Sequence, residues 1–197
     1  RQMCIRDSPL LKPETGKNFN INMKSNPILN GEWSLDFFNS RTYNLIQWRP
    51  IQSYWQAENI NDVTRRGVSA YITQNNKYFK LKISLGITDA FSGIEEQRLR
   101  YTPKKIGTLF LEKDFKGLSI STNTHYISEM IAAYSYPKNN MIPENSVTSI
   151  HLSQTLKYNL FNLNYTTSLN NIFDEKYESS KGYPEARKNF SITITLS

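Results

Sequence analysis

The sequence has one cysteine, Cys4, two histidines, and no apolar run approaching the roughly eighteen residues of a membrane-spanning helix. A single cysteine excludes a disulfide framework and a thiolate metal site. The missing apolar run excludes a helical span but not a membrane β-barrel, whose strands are apolar only at alternate positions. No glycine-rich phosphate loop, nucleophile elbow or histidine-rich metal motif is present. No catalytic residue, resident cofactor or enzymatic activity is therefore expected. Charge of one sign does not cluster either. The net charge is +7, but Asp or Glu stands among most basic residues, as in "GIEEQRLR" and "EARKN". That is the pattern of a solvated surface rather than a phosphate track, so nucleic acid is not an expected partner.

What the sequence does have is period two, the signature of strands with one face unlike the other. "GKNFNINMKS" sets Phe19, Ile21 and Met23 against Asn18, Asn20, Asn22 and Lys24. "WSLDFFNSRTYNLIQW" begins with Trp33, Leu35 and Phe37 opposite Ser34 and Asp36. "RGVSAYIT" and "YFKLKISLGIT" continue the alternation, while "TPKKIGTLFLEKDF" is ambiguous because Leu109, Phe110 and Leu111 run together. "KGLSISTNTHYISEMIA", "VTSIHLSQTLK", "FNLNYTTSLN" and the closing "NFSITITLS" bring the count to nine.

Short turns are expected around residues 26–31, 74–77, 114–117 and 157–160, and longer loops at 49–62, 91–98, 134–145 and 171–186. Long-short alternation is how an up-and-down barrel places its connections, long outside and short on the periplasmic side. The polar faces carry Asn, Ser, Thr and Gly rather than the Lys and Glu of a water-facing sheet. Such residues suit a crowded polar interior, which leaves the apolar faces for lipid. The fold class expected is all-β: an antiparallel up-and-down transmembrane β-barrel fragment. The rival reading is a secreted β-sandwich that binds glycans through exposed Trp and Tyr.

Several stretches resemble TonB-dependent outer-membrane receptors. "PLLKPETGKNF" is similar to that family's N-P-x-L-K-P-E stretch, "FFNSRTYNLIQW" to its Y-N-x-x-x-x-N-L-I strand, and "NINDVTRRGVSAYI" to its G-V-E strand entry. "NNIFDEKYESSKGYPEARKNFSITITLS" resembles the terminal N-L-F-D…G-Y-P-x-x-G-R-x-F hairpin. Ser69 and Ala186 depart from the pattern, where Glu and Gly are usual, and the chain ends Leu196-Ser197 rather than on an aromatic. The resemblance implies the last nine strands of a barrel of about 22. The plug, the TonB-binding box and the first half of the barrel would lie outside this chain. Residues 1–8, "RQMCIRDS", resemble a translated sequencing adapter and are expected to be non-native, leaving 9–197 as the C-terminal barrel portion.

The resemblance further implies TonB-dependent import of a metal chelate, iron-siderophore or cobalamin-like, in the cell outer membrane. "NLIQWRP…W…N…RRGV" leans towards cobalamin receptors. Implied partners are the chelate, the TonB complex acting through the plug, and outer-membrane lipid and lipopolysaccharide. Trp48, Arg49, Tyr54 and Trp55 are the first ligand-binding candidates, since flat rings and a fixed cation suit a bulky chelate. Tyr134 and Tyr136 come next. The other reading of each is an aromatic at the membrane surface or a lipopolysaccharide-contacting Arg. Asp174 and Tyr177 are expected to fix the terminal loop rather than touch ligand. His125 and His151 fall on polar faces of adjacent strands at similar depth, with Glu129 as the only third ligand; they are expected to be hydrogen-bonding groups of the lumen, not a metal site.

Overall fold

Hydrophobic and small polar residues alternating over ten or more positions form extended ladders, and asparagines and glycines turn the chain between them. The computed structural model describes residues 11–25, 30–51, 54–59, 62–93, 97–134 and 138–196; the side chains of 48–51 and 54–55 lie outside that description. The long strands are β1 (Thr15–Lys24), β2 (Gly31–Tyr43), β5 (Val63–Asn75), β6 (Lys80–Ser92), β8 (Lys105–Phe115), β9 (Leu118–Ile127), β12 (Asn145–Lys157), β13 (Asn162–Asn170) and β16 (Asn189–Leu196). Between them lie β3 (Ile46–Ile51), β4 (Tyr54–Asn59), β7 (Gln97–Arg98), β10 (Met130–Ala133), β11 (Asn140–Ile142), β14 (Glu178–Ser180) and β15 (Tyr183–Pro184). No helix occurs among the described residues.

The nine long strands form one antiparallel sheet in the order β1-β2-β5-β6-β8-β9-β12-β13-β16, each beside its predecessor in the chain, with β7 appended to β6. This is the up-and-down topology expected. The turns expected at 74–77, 114–117 and 157–160 fall within a few residues of those places, while residues 26–29 of the first expected turn lie outside the described residues. Lys116 and Gly117 both take positive φ (49° and 95°), as a two-residue hairpin turn matched to strand twist requires. At the β5–β6 turn, the Asn76 side chain accepts from the backbone N–H of Tyr78 and Phe79 at 2.8 and 3.0 Å. The Tyr158 and Phe161 rings stack across the β12–β13 turn.

Two stretches read as continuous break instead. The stretch from Trp33 to Trp48 divides at Asn44, whose φ of 55° turns the chain out of the sheet into the β3–β4 hairpin. The stretch from Lys116 to Ala132 divides at Ser128, which closes against Lys105 through N–H to carbonyl and N–H to Oγ bonds, each 2.9 Å. β10 then pairs with β11 rather than with the sheet. The expected loops thus carry hairpins of their own.

Register joins the apolar faces without a slip. Ile21 stands opposite Phe37, Phe37 opposite Val68, Val68 opposite Ile87, and Ile83 opposite Leu109. Ile120 pairs with Leu152, Ile150 with Leu169, and Leu169 with Phe190. Register also settles β8: Leu109 and Leu111 share the apolar face, while Phe110 pairs with Lys82 and Asn123 on the polar one.

This apolar face is exposed, not packed. Phe19 (64%), Leu85 (56%), Phe190 (64%) and Ile194 (66%) all stand open. Burying a Leu, Ile or Phe side chain is worth about 1.5–3 kcal/mol. A dozen half-open ones forgo on the order of 10–20 kcal/mol in water, as much as an ordinary domain's entire net stability. A sandwich would have a second sheet there, and none covers it among the described residues. The buried side chains lie elsewhere: Val63, Ala90, Ser92, Ser128, Met130, Ala132, Ile142, Asn145 and Asn171 all sit at the long-loop end.

Candidate functional site

The long-loop end is where the chain builds fixed geometry, and three latches hold it. In the first, the Asn59 side chain at the end of β4 donates to the carbonyls of Asn44 (2.6 Å) and Lys12 (2.9 Å) and accepts from Lys12 N–H at 2.7 Å. Glu14 adds a carboxylate oxygen 2.5 Å from Ile46 N–H. The segment before β1 is thereby tied to the base of the β3–β4 hairpin.

The second latch is the terminal loop. Asn171, 2% exposed with φ of 50°, accepts from Glu175 N–H (2.8 Å) and donates to the carbonyls of Glu175 (2.9 Å) and Ala186 (3.3 Å). The left-handed backbone suits Asn, whose short amide bonds locally. Asp174 accepts from Nε and Nη2 along one edge of the Arg187 guanidinium and from the N–H of Lys188. The Arg187 side chain, then the Lys188 N–H, hold its carboxyl at about 2, well below the usual 3.8. Burial, then the Glu185 carboxylate, push the Tyr177 phenol up. Asp174 therefore fixes the loop, as expected.

In the third, the Tyr134 hydroxyl donates to the carbonyl of Arg98, fastening β10 near β7, and Tyr101 N–H reaches the carbonyl of Ile131 at 2.8 Å. Tyr134 is half-buried and engaged in structure rather than presented freely to a ligand.

Of the other candidates, Trp48 and Arg49 stand in β3, opposite Ala57 and Gln56; Tyr54 and Trp55 stand in β4, opposite Ile51 and Pro50. One hairpin thus brings all four together in register, Trp48 diagonal to Trp55 and Arg49 diagonal to Tyr54, while their side chains lie outside the described residues. Tyr136 also lies outside them. The β3–β4 loop and the β10–β11 loop are four strand spacings apart, about 19 Å along the sheet.

The histidines are not at similar depth. His151 stands opposite Ser121 and His125 opposite Val147, a four-residue offset of about 13 Å. His151 bonds Ser168 at 2.8 Å and His125 bonds Asn123 at 2.9 Å. Glu129 lies past the end of β9, and no cluster of metal-ligating residues occurs among those described. Both histidines belong to a band of side-chain hydrogen bonds on the polar face.

Sequence reasoning missed a cleft of about 500 Å³ between the end of β11 and the β14–β15 hairpin. Glu144, Lys176, Glu178, Lys181, Glu185 and Arg187 line it with balanced charge, and Tyr126 donates to Glu144 at 2.7 Å. Its walls come from two loops far apart in the chain, so no local motif could announce it.

The chain matches the family model for the TonB dependent receptor-like beta-barrel over residues 5–190. No curated protein sequence matches it. Among solved structures it is similar to the ferripyoverdine receptor of the outer membrane of Pseudomonas aeruginosa, with a TM-score of 0.76 and 15% identity over 94% of this chain and 27% of that one. It is likewise similar to the ferric-catecholate import receptor Fiu from K12 E. coli (TM-score 0.72, 16% identity, 94% of this chain, 28% of that one). A third is the FrpB iron transporter from Neisseria meningitidis, F3-3 variant (TM-score 0.70, 14% identity, 93% of this chain, 31% of that one). The chain thus spans about a third or less of the length of each. Nine antiparallel strands in one meander, an exposed apolar face continuous across them, and the match over 5–190 lead to one conclusion: the chain belongs to the TonB-dependent receptor family, as part of its outer-membrane β-barrel.

Proposed function

We propose that this chain is the C-terminal wall and outer loop set of a receptor that captures a metal chelate, iron-siderophore or cobalamin-like, and passes it into the periplasm. The continuous apolar face carries the reading, because its exposure fits lipid and fits neither water nor a dry core. The polar face then lines the passage, and its Ser, Thr, Asn and His side chains bond one another, as His151 does Ser168, Thr155 does Asn164 and Asn123 does His125. With the apolar face in lipid, the long loops lie outside and the short turns in the periplasm. The plug and the segment that engages TonB would come from parts of the receptor outside this chain, and residues 1–8 would be foreign to it. The function is translocation, with no covalent chemistry.

Recognition falls to the β3–β4 hairpin, with Trp48, Arg49, Tyr54 and Trp55 at its far end, raised on the latch of Asn59, Lys12 and Glu14. A central aromatic or Arg anchor is worth about 2 kcal/mol or more. Radiolabelled ferric-siderophore and cobalamin binding to cells producing the receptor tests this. Trp55→Ala or Arg49→Ala should weaken binding about thirtyfold with receptor abundance unchanged. Unaltered binding of every chelate by both variants would remove the hairpin from the site.

A further inference from the structure

The cleft of about 500 Å³ between the end of β11 and the β14–β15 hairpin stands apart from the β3–β4 hairpin. At least four strand spacings, about 19 Å along the sheet, separate the two. Glu144 continues the alternate row of Ser146, Thr148 and Ile150, and its partner Tyr126 stands opposite Ser146 on that same face. This wall of the cleft therefore lies on the outward side of the sheet, not over the polar face. The volume is that of a small-molecule site.

Half of the charged groups lining the cleft are already committed. Asp174 holds the Arg187 guanidinium, and Lys181 Nζ lies 4.0 Å from Glu178, whose carboxylate also accepts from Gly182 N–H at 3.0 Å. Three groups remain. Glu144 spends one oxygen on the Tyr126 hydroxyl and Glu185 one on the Ser179 hydroxyl, and the second oxygen of each has no donor among the described residues. Lys176 is exposed and has no carboxylate partner among the described residues. Each wall thus offers a carboxylate, Glu144 from the β11 side and Glu185 from the hairpin, and Lys176 adds one ammonium. Pro143, Tyr177 and Pro184 supply apolar surface between them. The Tyr177 carbonyl accepts from Glu185 N–H at 3.0 Å, which keeps this ring and this carboxylate on neighbouring strands of one clamp.

Two carboxylates and one ammonium are matched by two cationic groups and one anionic group, carried on a hydrocarbon stem. A neutral sugar would leave both carboxylates without a counter-charge, and Lys176 would repel a bare metal ion. We propose that the cleft binds a short basic peptide with free ends. Its terminal ammonium and its lysine-like side chain engage Glu144 and Glu185, its carboxylate meets Lys176, and its stem lies against Tyr177, Pro143 and Pro184. The site is separate from chelate recognition and does not depend on which chelate the receptor carries.

Isothermal titration calorimetry of the intact receptor, in mild detergent at low ionic strength, tests this with Ala-Lys, Ala-Ala, Ala-Glu and maltose. Ala-Lys should bind. Ala-Ala, which lacks the second ammonium, should bind about tenfold more weakly, and Ala-Glu and maltose more weakly still. This series needs no variant, so it stands even where a substitution harms folding. Glu144→Gln and Glu185→Gln can keep the Tyr126 and Ser179 bonds while removing the charge, and each should weaken Ala-Lys about tenfold. Wild-type receptor should prefer Ala-Lys to its C-terminal amide about fivefold, and Lys176→Gln should abolish that preference. Glu112→Gln, at the short-turn end beside Lys80, should change nothing. Absence of Ala-Lys binding, equal binding of Ala-Ala or maltose, or undiminished binding by the Glu144→Gln, Glu185→Gln double variant would overturn the site.

Discussion

Gly67 stands where β5 passes between the Phe38 ring of β2 and the Ile87 carbonyl of β6, and Gly67→Ala tests how closely that part of the sheet is assembled. A Cβ there would lie 2.3 Å from the Ile87 oxygen and 2.7 Å from Cζ of Phe38. Ordinary contact begins near 3.4 Å, so the methyl overlaps the oxygen by about 1.1 Å and the ring by about 0.7 Å. The ring can swing off its rotamer for about 0.5–1.5 kcal/mol. The carbonyl belongs to a strand held in register on both sides, so its retreat weakens a ladder bond for about another 0.5–1.5 kcal/mol. Glycine's own entropic cost, about 0.5–1 kcal/mol, is recovered by the substitution. The balance is about 1–2 kcal/mol of destabilisation, a factor of roughly 5–30 in the unfolding equilibrium.

Urea unfolding of the receptor in lipid vesicles, followed by tryptophan fluorescence, measures this directly. Gly86→Ala is the matched control. Its nearest obstacle is Cγ1 of Ile106 at 3.1 Å, a side-chain atom that needs to give by only a few tenths of an ångström, so its midpoint should move by less than about 0.5 kcal/mol equivalent. Placing Gly67→Ala on Phe38→Ala should remove the ring's half of the penalty and keep the carbonyl's. A Gly67→Ala receptor as stable as wild type would refute the close approach, and full rescue by Phe38→Ala would refute the part assigned to Ile87.

Asn171→Ala removes three bonds from a side chain that is 2% exposed, and should destabilise the terminal loop by about 2–3 kcal/mol; faster proteolysis within 172–188 at an unchanged barrel midpoint checks it. Asp174 has its carboxyl lowered to about 2 from 3.8, so its clamp on Arg187 contributes fully above pH 3.8 and is lost as pH falls through about 2. Limited pepsin digestion across pH 2–4 should find the loop opening at the acid end, while Asp174→Asn should be open throughout that range. Asn59→Ala frees the β3–β4 hairpin from Lys12 and Asn44, and should raise backbone hydrogen exchange at 44–46 and 56–59 while leaving β12 and β13 protected.

The nine long strands were legible because period two is written into each of them, and register could only join faces that already alternated. β8 was ambiguous in isolation: with Leu109, Phe110 and Leu111 consecutive, only pairing with Ile83, Lys82 and Leu81 decides which face each takes. Asn44 and Ser128 were passed over because a strand's end there is set by one positive φ and one partner across the sheet, neither of which changes the alternation around it. The histidine offset was invisible for a similar reason. Face follows from parity in the sequence, but depth follows from stagger between strands, and stagger is a property of pairs. Among the candidate residues, Trp48, Arg49, Tyr54 and Trp55 stand out in the sequence by residue type, whereas the hairpin that groups them and the latches do not, because Asn59 and Asn171 are ordinary polar residues until their bonds are seen.

All nine side chains buried among the described residues sit at the long-loop end of the sheet. The wall takes its cohesion from backbone ladders and surrounding hydrocarbon, and each cap above it is fastened by its own few side chains. Replacing one cap therefore leaves the stem's assembly intact. A lineage facing a new ligand could exchange a hairpin such as 46–58 wholesale, keeping Asn59 and its two anchors, without re-solving how the protein inserts.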